Sequence, residues 1–267
     1  MILVGLGMMT MMLPSCTSST FYRYQSSILR PEPVPPGQVV EVTWLGNAGV
    51  YITDHKTGFL IDRLVSRYGM FRVGLGHYLE PRKDLIADWI KRLGATDVKA
   101  VLVSHSHYDH AIDAPFFAQA TGAVMVGTES TANIGRGAGL PENQIKVVQG
   151  GDTMQIGQFK ITFLYSEHGP ALFGRVPYPG FITKPLKPPA SASKYRMGGV
   201  FGILIEHPSG TLLHHGSAGH RDRMYDGVKA DVVLLGLAGR ADSDDYLRQV
   251  VDAVGADVDH PPELGAK

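Results

Sequence analysis

The chain has one cysteine, Cys16, in 267 residues. An intrachain disulfide is therefore excluded, and a metal site in the body of the chain must be built from imidazole and carboxylate rather than thiolate. It also lacks an excess of either charge: Lys plus Arg and Asp plus Glu both number 25, for a formal net charge of zero. The electrostatic footprint of a nucleic-acid-binding protein is missing, and a polyanion-binding role is disfavoured. The Met-rich apolar run over residues 1–13 is too short for a mature bilayer-spanning helix, which takes about 20 residues. Followed by the polar stretch 17–20, it reads as a secretory leader.

What the chain does have is His105-Ser106-His107-Tyr108-Asp109-His110. Four potential metal ligands or proton handlers fall within six residues. With 11 His and 25 acidic residues, such a pattern arises by chance in on the order of one chain in a thousand of this length. The apolar run 99–104 before it reads as a buried strand, so the ligands begin at a strand end, where α/β proteins place chemistry. In extended backbone His105 and His107 point the same way and can reach one ion. Asp109 and His110 follow once the chain turns, and can face a second ion or a water. This donor set suits Zn²⁺, with Mn or Fe as other occupants.

Organisation follows from punctuation. Residues 1–37 read as leader and proline-rich tether, carrying Pro31, Pro33, Pro35 and Pro36, and residues 38–267 as the folded domain. Strands are expected at 39–44, 49–53, 59–61, 99–104, 123–126, 145–148, 153–156, 159–165, 199–206, 211–214 and 231–235. Helices are expected at 84–93 with Gly94 as its stop, at 113–120 with Asp113 as its cap, near 130–136, and at 243–254. Periodicity alone yields an α/β class.

The motif after a hydrophobic strand resembles the signature of the metallo-β-lactamase fold. Val42-Thr-Trp-Leu-Gly-Asn-Ala-Gly-Val50, Gly58-Phe-Leu-Ile-Asp62 and Gly210-Thr-Leu-Leu-His-His-Gly-Ser-Ala-Gly219 resemble its opening strands and its later strand and loop. The Trp-Leu-Gly opening is most similar to the branch with ascorbate-6-phosphate lactonase and the phospholipase D that hydrolyses N-acylphosphatidylethanolamine. The resemblance implies a four-layer αββα sandwich and a hydrolase using a zinc-activated water on a small ester, lactone or phosphodiester. It makes His168, just past the strand 159–165, the third ligand beside His105 and His107, with Asp109 orienting or deprotonating the water. Asp109 and His110 would begin a second site. The resemblance also implies a bridging aspartate where this chain has Ser217, and a last histidine for which the candidate is His260. That leaves one ion expected and the second conditional on an unidentified partner, with His214, His215 and His220 as possible substitutes. The polar end of the chain, where the resemblance implies an apolar strand before that histidine, leaves a C-terminal truncation or a change of frame open. The missing cysteine ligand argues against antibiotic hydrolysis.

Leu13-Pro14-Ser15-Cys16 resembles the lipobox of bacterial lipoproteins, with Cys16 as the acylated residue. The expected location is the bacterial cell envelope, with a lipid anchor to the membrane, or else the periplasm or medium. The long loop after His168 has Arg175, Lys184 and Arg196 interleaved with Tyr178 and Tyr195. Loops of this length tend to bind substrate or act as lids, and this mix favours a small molecule with an anionic head and an apolar part. A different class of function is a non-catalytic surface lipoprotein retaining a degenerate metal pocket.

Overall fold

In the computed structural model of the chain, which describes residues 39–94, 98–170, 174–240 and 242–256, period-two alternation in the apolar strands sets the layering. A six-stranded sheet runs in the order Glu41–Gly46, Gly49–Thr53, Gly58–Ile61, Val98–Leu102, Val124–Gly127, Ile145–Val147. Its first three strands pair antiparallel and the rest parallel. Leu60, Val101 and Met125 point to one face, where they pack with Ile86, Phe117 and Ile134 of the helices Lys83–Leu93, Ala114–Thr121 and Glu129–Gly137. Phe59, Ile61, Leu102 and Val126 point to the other, against Phe159, Ile161 and Ile203 of a second sheet. The rings of Phe59 and Phe159 meet edge to face across the inter-sheet core, 5.1 Å between centroids.

That second sheet has five strands, in the order Val232–Leu235, Gly210–His215, Phe201–His207, Phe159–Tyr165, Thr153–Ile156. Its outer face packs Leu213 against Tyr246 and Val250 of the helix Ser243–Val250. Helix, sheet, sheet, helix is the αββα sandwich expected. The Asp242 carboxylate caps the outer helix, accepting from the amides of Asp244 and Asp245 at 3.0 Å each.

The elements depart from expectation in a few places. Asp113 precedes the helix Ala114–Thr121 but does not cap it. Its carboxylate instead accepts from the backbone amides of Val65 and Ser66, both at 2.7 Å, which would otherwise be buried without partners. The last helix ends at Val250 and tightens into a 3-10 turn at Asp252–Val254, closed by Gly255 at φ 65°. A one-turn helix, Met70–Gly74, and two short ladders, Tyr78–Leu79 with Ala190–Ser191 and Glu167–His168 with Ala218–Gly219, were not expected. None of them is long enough to show periodicity. Cys16, the tether and His260 lie outside the described residues. No helix among the described residues is long and apolar enough to cross a membrane.

Candidate metal centre

The strand Val98–Leu102 delivers its chain end to the rim between the sheets. There His105 and His107 follow in the bends of chain beyond the strand, and the backbone enters the short helix Tyr108–Ala111 immediately after His107, which is extended at φ −61° and ψ 152°. His168 arrives from the second sheet in the two-residue ladder with Ala218–Gly219. That pairing depends on Gly219, because a Cβ there would lie 2.4 Å from the Glu167 backbone. One potential ligand atom from each of His105, His107 and His168 lies within 4.8 Å of the other two.

The tautomers follow from the other ring nitrogens. His107 Nε2 donates to the Pro177 carbonyl at 2.9 Å, and His168 Nδ1 donates to the Gly169 carbonyl at 2.7 Å. This leaves His107 Nδ1 and His168 Nε2 as bare acceptors 3.1 Å apart. His105 Nδ1 faces the Ser104 hydroxyl at 3.2 Å, and that hydroxyl gives its own proton to Asp62, so the His105 proton lies on Nδ1 and its bare Nε2 stands 3.1 Å from His107 Nδ1. Lone pairs converge with no proton between them, and a cation is what relieves that arrangement. Burial holds all three imidazoles below their ordinary pKa, His107 down to about 4, and for His105 the neighbouring rings of His110, His107 and His168 add to it. Neutral rings are the ligating form. The residues present therefore fit a metal ion.

Asp109 and His110 stand beside the triad without joining it. His110 Nε2 is 3.7 Å from the Asp109 carboxylate, while Nδ1 is held at 2.9 Å by Asp62. Burial alone would lower His110, but the Asp62 and Asp109 carboxylates outweigh it and push the ring up to about 9. Burial would likewise raise Asp62, yet His110, His214 and Ser104 keep it below the usual carboxylate range. In the metal-free chain the buried pair with Asp62 thus favours the protonated ring. Ser217 does line this cleft, but its hydroxyl donates to the Glu167 carbonyl at 2.8 Å. His214 Nε2 is 2.9 Å from the Ala48 carbonyl, His215 Nδ1 is 2.7 Å from the Tyr225 hydroxyl, and His220 is paired with Asp245 at 2.8 Å. None of the three histidines joins the triad among the described residues.

The cleft over the triad has a volume of about 890 Å³. Its walls are mostly apolar, including Trp44, Met70, Val73, Leu235 and Leu237, with Tyr178 from the long loop. Of the loop residues expected to bind substrate, Tyr178 alone lines it. Tyr195 is buried in the helix-side core. Arg175 and Lys184 are exposed away from the cleft lining, and Arg196, also outside it, donates to the Pro179 carbonyl at 3.1 Å. The loop serves the site through a carbonyl, Pro177, and one aromatic ring. Asp62 was given no role in reading the sequence, though an acid directly after the apolar strand Gly58–Ile61 carries the same strand-end signal as His105.

The strand holding His214 and His215 also makes a pH prediction. Burial, with His214 beside it, pushes the His215 ring down to about 3. In the unfolded chain the ring protonates near 6.5, so below that pH the unfolded state binds the extra proton and stability falls. Between pH 6.5 and 5 the loss from this ring is expected to be about 2 kcal/mol. Urea midpoints across that range should show it, and His215→Asn should flatten the slope. An unchanged slope in the variant would remove His215 from the account.

The family model described as the metallo-beta-lactamase superfamily matches residues 44–228. The chain belongs to that superfamily. Within the metallo-beta-lactamase superfamily it is similar to a metal-dependent hydrolase of Pyrobaculum islandicum, 26% identical over 181 residues, covering 67% of this chain and 62% of that protein. It is also similar to a metal-dependent hydrolase of Rhizobium leguminosarum bv. trifolii, 27% identical over 132 residues, covering 49% of each. The chain thus spans less than two thirds of the length of these curated relatives. Among solved structures, the metallo-beta-lactamase fold protein YhfI of Bacillus subtilis aligns with a TM-score of 0.40 at 18% identity, over 69% of this chain and 61% of that one.

Proposed function

We propose that this superfamily member is a hydrolase that holds one divalent cation, zinc by its donor set, on His105 Nε2, His107 Nδ1 and His168 Nε2. The substrate is a small ester, lactone or phosphodiester with an apolar part. The observation that carries the reading is the convergence of those three ring nitrogens with their protons committed elsewhere. The names of the two curated relatives, both metal-dependent hydrolases, support it. When bound, the cation supplies an acidified water and polarises a carbonyl or phosphoryl oxygen.

The chain's own residues do the rest. Asp109 presents a carboxylate to the cleft that can take up the proton of the attacking water. Its main chain is tied to the β-hairpin of the first sheet by Asn47 Nδ2, 3.3 Å from the Asp109 carbonyl. Asp62 fixes His110 and receives the Ser104 amide at 2.7 Å, so the strand end bearing His105 is held from beneath. Trp44, Leu235 and Leu237 receive the apolar part of the substrate and shed water as they do so.

A second reading, a surface lipoprotein with a degenerate pocket, is favoured by Ser217 where the resemblance implies an acidic bridge and by the pairing of His110 with Asp62. Metal analysis by mass spectrometry, followed by a panel of phosphodiester, lactone and thioester substrates, separates the two. One equivalent of zinc with turnover is expected. Bound zinc with no turnover across the panel would favour the degenerate pocket, and a chain that takes up no metal would sink both.

A further inference from the structure

Between Asp62 and Glu80 the chain has no acidic residue, while Arg63, Arg67 and Arg72 fall within the stretch. Arg63 is buried, 4.2 Å from the Trp89 ring, so Arg67 and Arg72 carry the surface charge. Between and beyond them stands the one-turn helix Met70–Gly74, which buries none of its residues. Met70 is 80% exposed, Phe71 89% and Leu75 74%. Single exposed apolar side chains are ordinary, but a contiguous set this bare marks a docking site. Arg72 is held beside the tip, donating to the Tyr78 carbonyl at 3.2 Å with its guanidinium 5.2 Å from the Tyr68 ring. Met70 and Val73 also line the metal cleft, so the tip forms part of the cleft's rim. Trp44, 72% exposed, belongs to the same rim.

We infer that this rim docks on an anionic phospholipid bilayer, with Phe71 and Leu75 entering the boundary between headgroups and acyl chains and Arg67 and Arg72 meeting the phosphates. An apolar tip flanked by arginines, with no acid along the chain between Asp62 and Glu80, matches such a surface in both charge and polarity. A second copy of the chain does not, because it would bring the same arginines face to face. An acidic protein surface would answer the arginines but would need a separate pocket for each of the splayed apolar side chains, whereas lipid needs none. The inference concerns where the cleft opens and is independent of the reaction inside it.

The test places an indole at the tip. The full chain carrying Cys16→Ala, which removes acylation, is compared with the same chain bearing Phe71→Trp. Both are titrated with vesicles of phosphatidylglycerol and phosphatidylcholine, with and without bromine on the acyl chains. The added indole is expected to shift to the blue and to be quenched by the brominated lipid. Partition to pure phosphatidylcholine should be about thirtyfold weaker, the share of two interfacial guanidiniums. Phe71→Ser with Leu75→Ser should lower partition at least about tenfold while the melting temperature holds, since neither side chain is packed. An indole left unshifted and unquenched, with or without co-sedimentation of the protein, overturns the inference. So does a concentration-dependent dimer that the double serine variant dissolves, because it would give the patch to a second copy.

Discussion

His107→Ala is expected to abolish zinc retention and with it at least about 99.9% of hydrolytic turnover. The loss is larger than for an ordinary surface histidine because His107 stands between the other two histidines of the triad, with Nδ1 3.1 Å from both His105 Nε2 and His168 Nε2. Removing it leaves two donors, too few for the three protein ligands of a catalytic zinc site. Fold stability should hold or rise in the metal-free protein, since the variant also removes crowded lone pairs. Zinc content by mass spectrometry and turnover on the best substrate of the panel read the result together. Cys16→Ala is the control: a change at this cysteine, which is given no part in metal binding, is expected to leave turnover unchanged. Zinc retained at one equivalent in His107→Ala would show that the ion sits elsewhere.

Asp62→Ala is expected to cost about 3–5 kcal/mol of stability, the range for removing one partner of a buried ion pair. Asp62 is fully buried, receives His110 at 2.9 Å and the Ser104 amide at 2.7 Å, and would leave both without an acceptor. Zinc affinity should also fall about 10–100-fold, because Ser104 directly precedes His105 and sits 3.2 Å from its Nδ1. The pH dependence carries a sign. His110 is raised to about 9 in the folded chain, against about 6.5 unfolded, so its contribution is full below 6.5 and drains away as pH rises through 9. Asp62 is lowered, so its own share is present above the ordinary carboxylate pKa and is lost as pH falls through its folded value. Urea unfolding of the metal-free protein should therefore show an alkaline decline that Asp62→Asn removes. A variant within about 1 kcal/mol of the parent at pH 7 would mean the pair contributes little.

Both predictions rest on residues of unequal legibility. His105 and His107 were plain in the sequence because two residues of extended chain place side chains on one side, a purely local rule. His168 is 61 residues further on, and only the resemblance joined it to the others; the ladder to Ala218–Gly219 is what brings it there. Asp62 carried a strand-end signal that went unused. Pro177 carried none, since its part is played by a backbone carbonyl that every residue owns. The cationic loop misled for a related reason. A string of Arg, Lys and Tyr states what groups are available, not which way they point, and Tyr195 turned inward while Arg196 turned to Pro179.

The strands show the same division. Alternation in Phe59–Leu60–Ile61 and Ala100–Val101–Leu102 fixes which side chains share a face, because the backbone pleat is a property of each segment. The helix stop at Gly94, in left-handed backbone at φ 57°, is likewise written locally. Sequence by itself thus determined most of the strands and helices, the αββα class through its motif, and two of the three histidines of the triad. Tertiary structure alone decided the approach of His168, the pairing of His110 with Asp62, and the apolar rather than cationic lining of the cleft. Those depend on distances between segments far apart along the chain, and such distances are set by which strands pair and by how the two sheets pack.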